Sequence, residues 1–128
     1  MKKWKIALFC LLCSLQISVF ASEPQRVYLF GMATNFNDST TYITDVQCLD
    51  SLIINPDGSL QNHVGYTLQL KVYLEGILNE RNQTCAVFYS DKKRKLTRRH
   101  LEIQRRHQYK KDKKLAQISK DSFLFQKR

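Results

Sequence analysis

Apolar residues occupy both faces of the first strand that the sequence predicts. The segment VYLFGMATNF, from Val27 to Phe36, is short, apolar and aromatic, as expected of a strand. At a period of two, its side chains divide between two faces. One face carries Tyr28, Phe30, Met32 and Phe36, and the other carries Val27, Leu29, Gly31 and Ala33. Because neither face is polar, we predict that this strand lies at the centre of a sheet.

A turn and a return strand follow. Asn, Asp and Ser side chains hydrogen-bond to nearby backbone groups, so the run from Asn37 to Thr40 predicts a turn. From Thr41 to Cys48 the side chains again alternate at a period of two, which predicts the second arm of a hairpin. Leu52 to Ile54 either continues this arm or forms a short extra strand. The turn residues from Asn55 to Gly58 then end it.

Two later segments repeat their apolar residues at helical spacing. From Gly65 to Leu78, one face of a predicted helix carries Tyr66, Leu70, Tyr73, Leu74 and Ile77. A second helix is predicted from about Lys92 to Lys110. Its narrow apolar stripe holds two aliphatic and two imidazole side chains: Leu96, His100, Ile103 and His107. Lysines and arginines cover nearly all of the remaining surface of this second helix.

Two further strands complete the predicted fold. TCAVFYS, from Thr84 to Ser90, is short and apolar and predicts a buried strand, and a closing strand is expected within Leu115 to Phe125. The predicted order is therefore strand, strand, helix, strand, helix, strand. Hairpin-linked strands together with two helices predict an α+β fold. We expect a mostly antiparallel four-stranded sheet with both helices on one of its faces.

The first 21 residues have the three parts of a secretory signal peptide. The lysines of MKKWK form a charged start, Ile6 to Val19 forms an apolar run, and Val19-Phe20-Ala21 provides a cleavage site. Polar residues interrupt the apolar run, which is too short for a membrane span of about 20 apolar residues. We expect cleavage after Ala21, export to the periplasm or exterior of a bacterial cell, and one small domain over residues 22–128, without a transmembrane segment.

Charge is distributed unevenly along this predicted domain. Residues 22–90 hold three basic and seven acidic side chains, a net charge of −4, whereas residues 91–128 hold fifteen and four, a net charge of +11. A basic helix on an exported chain suggests docking on an acidic partner, such as an envelope component or a protein surface. The residues that we expect to bind this partner are Arg98, Arg99, Arg105, Arg106, Lys110 and Lys111.

Two other interpretations of the basic helix remain open. The long basic side chains can lie over the sheet edge with their charged ends in water, which makes the helix a solvated face. Alternatively, the cations neutralise phosphates and the helix binds nucleic acid. The predicted export, the charges that wrap around the helix and the scarcity of aromatic residues for stacking argue against specific nucleic-acid recognition.

The chain contains no recognisable catalytic or metal-binding motif. It lacks a nucleophile elbow, a phosphate-binding glycine loop and a dinucleotide fingerprint. His100 and His107 are seven residues apart, too far along a helix to hold one metal in the usual i, i+4 manner. We therefore expect no metal and no cofactor. A non-catalytic binding domain is favoured, and the alternative is a small periplasmic enzyme that uses Cys85, His100 or Asp45.

Cys48 and Cys85 are the two cysteines outside the predicted signal peptide. In an oxidising compartment, a disulfide between them closes a loop of 37 residues, a constraint worth roughly 3–4 kcal/mol. The alternative is two free thiols that behave as small apolar side chains. Because both lie in predicted strands, the disulfide requires those strands to be neighbours with suitable side-chain geometry.

The order of these segments resembles that of a known group of proteins. VYLFGMATNFNDSTTYITDVQ, YTLQLKVYL and TCAVFYS, followed by a basic helix and an aromatic final strand, resemble the short exported proteins of Bacteroides-type bacteria. The resemblance covers nearly all of the predicted domain. It brings no particular activity with it.

Overall fold

The strands and helices of the protein follow one another in an order close to the predicted one. The computed structural model describes residues 23–35, 39–110 and 114–128, so the predicted signal peptide lies outside the described residues. The elements are β1 (Gln25–Thr34), β2 (Thr40–Thr44), β3 (Gln47–Leu52), α1 (His63–Gly76), β4 (Thr84–Ser90), α2 (Lys93–Gln108) and β5 (Lys114–Ile118). The α+β class is confirmed, but the sheet has five strands instead of the predicted four.

β1 is the central strand, as its two apolar faces predict. β4 pairs with one edge of β1, and β2 and β3 share the other edge; all three pairings are antiparallel. β5 extends the sheet beyond β2 by a parallel pairing. β4 and β5 therefore lie at opposite edges of the sheet.

The fifth strand arises because a bulge interrupts the predicted return arm. Ile43 lies opposite Met32, and Gln47 lies opposite Leu29. A step of four residues on the return arm thus matches a step of three on β1, which leaves one extra residue. At this interruption the Asp45 N–H donates to the Ile118 carbonyl (3.2 Å). The return arm is consequently divided into β2 and β3.

The two helices cover opposite faces of the sheet, which corrects the prediction that both lie on one face. α1 packs on the face that β1 forms with Val27, Leu29 and Ala33. α2 packs on the opposite face, which includes Phe30. Both faces of β1 are apolar, so each face needs its own layer to exclude water.

Most of the predicted apolar face of α1 packs against the sheet. Three of its residues are buried and a fourth is half-buried: Tyr66, Leu70, Leu74 and Tyr73. Ile77, the C-cap residue just beyond the helix end at Gly76, is exposed. Gly31 permits the close approach of this helix, since a Cβ atom there would lie 2.6 Å from Leu70 Cδ2.

The closing strand predicted within Leu115 to Phe125 is β5, and the chain after Ile118 forms an irregular segment. Phe123 and Phe125 are nevertheless buried on the α1 face. The buried side chain of Gln47 holds the segment in place. Its Nε2 donates to the Phe123 carbonyl (3.1 Å), and its Oε1 accepts from the Phe125 N–H (2.8 Å). A side chain thus pairs backbone groups that a strand partner would otherwise pair.

Candidate binding surface

α2 lies with its predicted apolar stripe against the sheet. Two residues of the stripe are buried and two are half-buried: Leu96, Ile103, His100 and His107. His100 Nε2 lies 2.9 Å from the Thr44 carbonyl oxygen. The His100 ring also meets the Phe30 ring edge-on, with centroids 4.9 Å apart. These contacts determine which sides of α2 face the solvent.

The solvent-facing sides of α2 are strongly basic. Between Lys93 and Gln108 there are seven lysines and arginines, all exposed, and one carboxylate, that of Glu102. This carboxylate lies 4.0 Å from Arg99 Nη1. No other ion pair involves α2 within the described ranges. Most of the positive charge of the helix is therefore uncompensated.

The first turn of α2 carries cations where helix stability disfavours them. Lys93, Arg94 and Lys95 lie at the N-terminus, and this turn has no acidic residue. The helix macrodipole favours negative charge at this end. The N-cap residue, Lys92, makes no side-chain capping hydrogen bond. The three cations therefore do not stabilise the helix that bears them.

A groove of about 520 Å³ runs between β4 and α2. β4 contributes four consecutive residues to its lining, Val87 to Ser90, and α2 contributes Lys95, Leu96, Arg98, Arg99 and Glu102. The guanidinium carbon of Arg99 lies 5.7 Å from the centroid of the Phe88 ring, a cation–π contact that holds Arg99 beside the groove. The groove thus combines apolar side chains, three cations, one carboxylate and the backbone of a strand.

The predicted binding residues fall on different sides of α2. Arg98 and Arg99 line the groove. Arg105 lines a second, open depression on the outer side of the helix. Arg106 and Lys110 are exposed, and Lys111 lies outside the described residues. The structure therefore brings only part of the predicted set to one place.

The predicted binding residues do not include Lys95 and Phe88, which also line the groove. Lys95 is one of many cations on the helix, and Phe88 belongs to a strand that the sequence predicts to be buried. Helical periodicity shows which side chains share a face, but it does not show which strand lies beside that face. The apolar stripe alone is therefore insufficient to locate the groove.

The two cysteines are free thiols on opposite faces of the sheet, so the candidate disulfide is not formed. Cys48 lies opposite Tyr28, and Cys85 lies opposite Ala33 on the other edge of β1. Tyr28 faces α2, whereas Ala33 and Cys85 face α1. With β1 between them and their side chains on different faces, the cysteines lack the geometry of a disulfide.

We expect these two thiols to react at different rates. Burial raises the pKa of the Cys85 thiol, and the nearby charges of Lys71, which lowers it, and Glu75, which raises it, have smaller effects. Because the thiolate is the reactive form, exposed Cys48 should react first with a maleimide near neutral pH. Labelling of Cys85 should accelerate as the pH rises.

Mass spectrometry of the labelled protein over time, without reductant, measures both rates. The Cys48→Ser and Cys85→Ser variants assign each rate to its residue. If neither thiol of the wild-type protein reacts until a reductant is added, the cysteines are joined and the placement of β3 or β4 is wrong.

The three residues considered for catalysis are not brought together. Cys85 faces α1, whereas His100 packs under α2 against Phe30. Asp45 lies at the bulge, where its carboxylate accepts from the Lys120 N–H (3.1 Å). Among the described residues, no three or more His, Cys, Asp and Glu side chains are grouped to hold a metal ion. The basic surface of α2 is the feature with the clearest chemistry.

Neither described helix is long and apolar enough to cross a membrane. Comparisons of the chain with protein-family models, curated proteins and solved structures found no match. The function therefore has to be inferred from the surface of the protein itself.

Proposed function

We propose that the protein is a non-catalytic binding domain of the cell envelope, and that α2 docks on an acidic partner. The observation that carries the proposal is the uncompensated charge of α2. Seven exposed cations are accompanied by one carboxylate, and that carboxylate is at the limit of ion-pair distance from Arg99. A partner with clustered carboxylates or other anions would provide the missing counter-charge.

The location of the cations also supports a binding role. Like charges on one helix repel each other, and those in its first turn also oppose the macrodipole. A solvated face does not require this arrangement, because interspersed charges of both signs with a moderate net charge also keep a surface soluble. An anionic partner removes both the repulsion and the conflict with the helix dipole.

The distribution of charge along the chain would orient the encounter. Residues 22–90 have a net charge of −4, and residues 91–128 have a net charge of +11. The seven exposed cations of α2 carry a large part of this positive charge, and their field favours approach of an acidic surface to the α2 side. The predicted export places this encounter in the envelope.

We expect the substitution of four arginines to weaken capture of the partner strongly. The variant carries Arg98→Gln, Arg99→Gln, Arg105→Gln and Arg106→Gln, which keep polar side chains but remove four positive charges. Capture from whole envelope extract should fall by about tenfold or more relative to the wild type, at ionic strengths where screening is weak. Capture by the wild type should also fall as salt increases.

A variant with the same net charge provides the control. Lys71→Gln, Arg81→Gln, Lys120→Gln and Lys127→Gln remove four exposed cations that lie outside α2. This control should retain the partner. Equal capture by both variants and the wild type would contradict the proposal, and a partner that disappears on nuclease treatment would replace it with nucleic-acid binding.

A further inference from the structure

We propose that β4 accepts an extended acidic segment of the partner as an added strand, with carboxylates directed toward α2. This inference rests on the proposed function, because it specifies how an acidic partner is held. It is supported by the free edge of β4, by the groove beside this edge and by the cations that line the groove.

β4 is an edge strand of the sheet. It pairs with β1 along Thr84–Ser90, and no described strand pairs with its other side. Edge strands present unpaired N–H and C=O groups, and an extended peptide binds many proteins by adding to such an edge. The groove places the Arg-rich side of α2 next to this strand.

The hydrogen bond of Gly31 shows which backbone groups of β4 point outward. Gly31 lies opposite Val87, yet its N–H donates to Thr44 Oγ1 on the other edge of β1 (2.8 Å). Hydrogen-bonded and non-hydrogen-bonded pairs alternate along an antiparallel ladder. The Gly31–Val87 pair is therefore non-hydrogen-bonded, so Val87 directs its N–H and C=O away from β1. By the same alternation, Cys85 and Tyr89 do so as well.

Most of these outward groups are available to a new strand. The Val87 carbonyl oxygen lies 3.1 Å from His63 Nε2, which satisfies it. The outward N–H and C=O groups of Cys85 and Tyr89 make no backbone hydrogen bond with another described segment. An added strand would therefore find donors and acceptors on either side of Val87.

The spacing of charges on α2 suits an extended acidic chain. Alternate residues of a strand project from the same face at intervals of about 6.8 Å. Lys95 and Arg99 are four residues apart on α2, a rise of about 6 Å along the helix. Glutamates or aspartates at every second position would therefore meet successive cations. Their side-chain methylenes would contact Phe88 and Leu96, two of the apolar residues of the groove.

A recessed groove also favours a peptide over a lipid surface. A bilayer would contact the outer side of α2, where Leu101 lies among Arg94, Arg98 and Arg105. It would leave the backbone edge of β4 unpaired. An extended chain can pair with the edge of β4 and contact the groove cations at the same time, so it explains both features.

Binding of synthetic peptides to the purified protein tests the inference. The probe is an extended peptide with glutamate at every second position and threonine between. Two further forms carry backbone N-methyl groups, one on every glutamate and one on every threonine, because only one of these two sets of N–H groups can face β4. We expect one methylated form to lose affinity by about tenfold or more and the other to bind like the parent peptide. The form that fails identifies the orientation of the added strand.

Hydrogen exchange locates the bound peptide. The amides of Cys85, Val87 and Tyr89 should exchange more slowly in the complex, whereas those of Ala86 and Phe88 already face β1 and should change little. Arg99→Gln should weaken peptide binding, whereas Lys127→Gln, which removes an exposed cation outside both α2 and the groove, should not.

Three results would overturn the inference: equal binding of all three peptides, protection at β3 or β5 in place of β4, and binding only to vesicles of anionic phospholipid. If the four-arginine variant still loses the envelope partner, the proposed function survives any of these results and only strand addition is rejected. If that variant keeps the partner, the proposed function fails too.

Discussion

Replacement of Phe30 by alanine should lower the free energy of unfolding by about 3–5 kcal/mol, because it removes a large, fully buried ring. Phe30 stacks on Phe88, with centroids 5.0 Å apart, and meets the edge of His100. The substitution leaves a cavity beneath α2 that these rings fill only partly. Since small domains are stable by only about 5–15 kcal/mol, the midpoint of urea denaturation should fall markedly.

Two substitutions separate this packing effect from others. Phe30→Leu keeps most of the volume and should cost less than the alanine variant. Phe88→Ala removes a half-buried ring, so it should cost less stability while weakening binding in the groove. A loss of less than about 1 kcal/mol for Phe30→Ala would show that α2 does not pack on this face of β1.

The central position of β1 was predictable because it depends on a local pattern. Tyr28, Phe30 and Met32 alternate with Val27 and Leu29, and this alternation places apolar side chains on both faces of any strand. The same pattern also implies that both faces of the strand need a cover. The prediction that both helices pack on one face is wrong because it would leave the other apolar face of β1 exposed to water.

Other parts of the fold depend on contacts between distant residues. The bulge that divides β2 from β3 is a mismatch of register with β1. The residues around Asp45 do not indicate that its N–H will donate to the distant Ile118 carbonyl. The irregular segment after β5 is similar, because its aromatic residues resemble those of a strand. Its conformation is set by Gln47, more than seventy residues earlier.

The candidate site likewise depends partly on local sequence patterns and partly on contacts between distant segments. The apolar stripe of α2 was visible in the spacing of Leu96 and Ile103, and the exposure of the basic residues follows from it. The groove was not visible, because β4 becomes an edge strand only through the topology of the whole sheet. TCAVFYS carries apolar residues in both alternating sets, so its sequence does not distinguish an edge strand from a central one.

Replacement of Gln47 by leucine should lower the free energy of unfolding by roughly 2–4 kcal/mol. The two side chains are similar in size, but leucine can neither donate to the Phe123 carbonyl nor accept from the Phe125 N–H. Both backbone groups would then be buried without a partner. Because they hold Phe123 and Phe125 against the α1 face, hydrogen exchange should increase first in residues 119–128. Denaturant titration measures the loss of stability.

The Gln47→Glu variant tests whether the donor to Phe123 matters. A protonated glutamate can donate to the Phe123 carbonyl and accept from the Phe125 N–H, as glutamine does. Ionised glutamate loses the donor and places a negative charge beside a carbonyl oxygen, so folding favours the protonated form. Relative to the wild type, this variant should lose stability as the pH rises above about 4.3, the ordinary pKa of glutamate. A difference that does not change with pH would show that Gln47 fills space without holding the C-terminal segment.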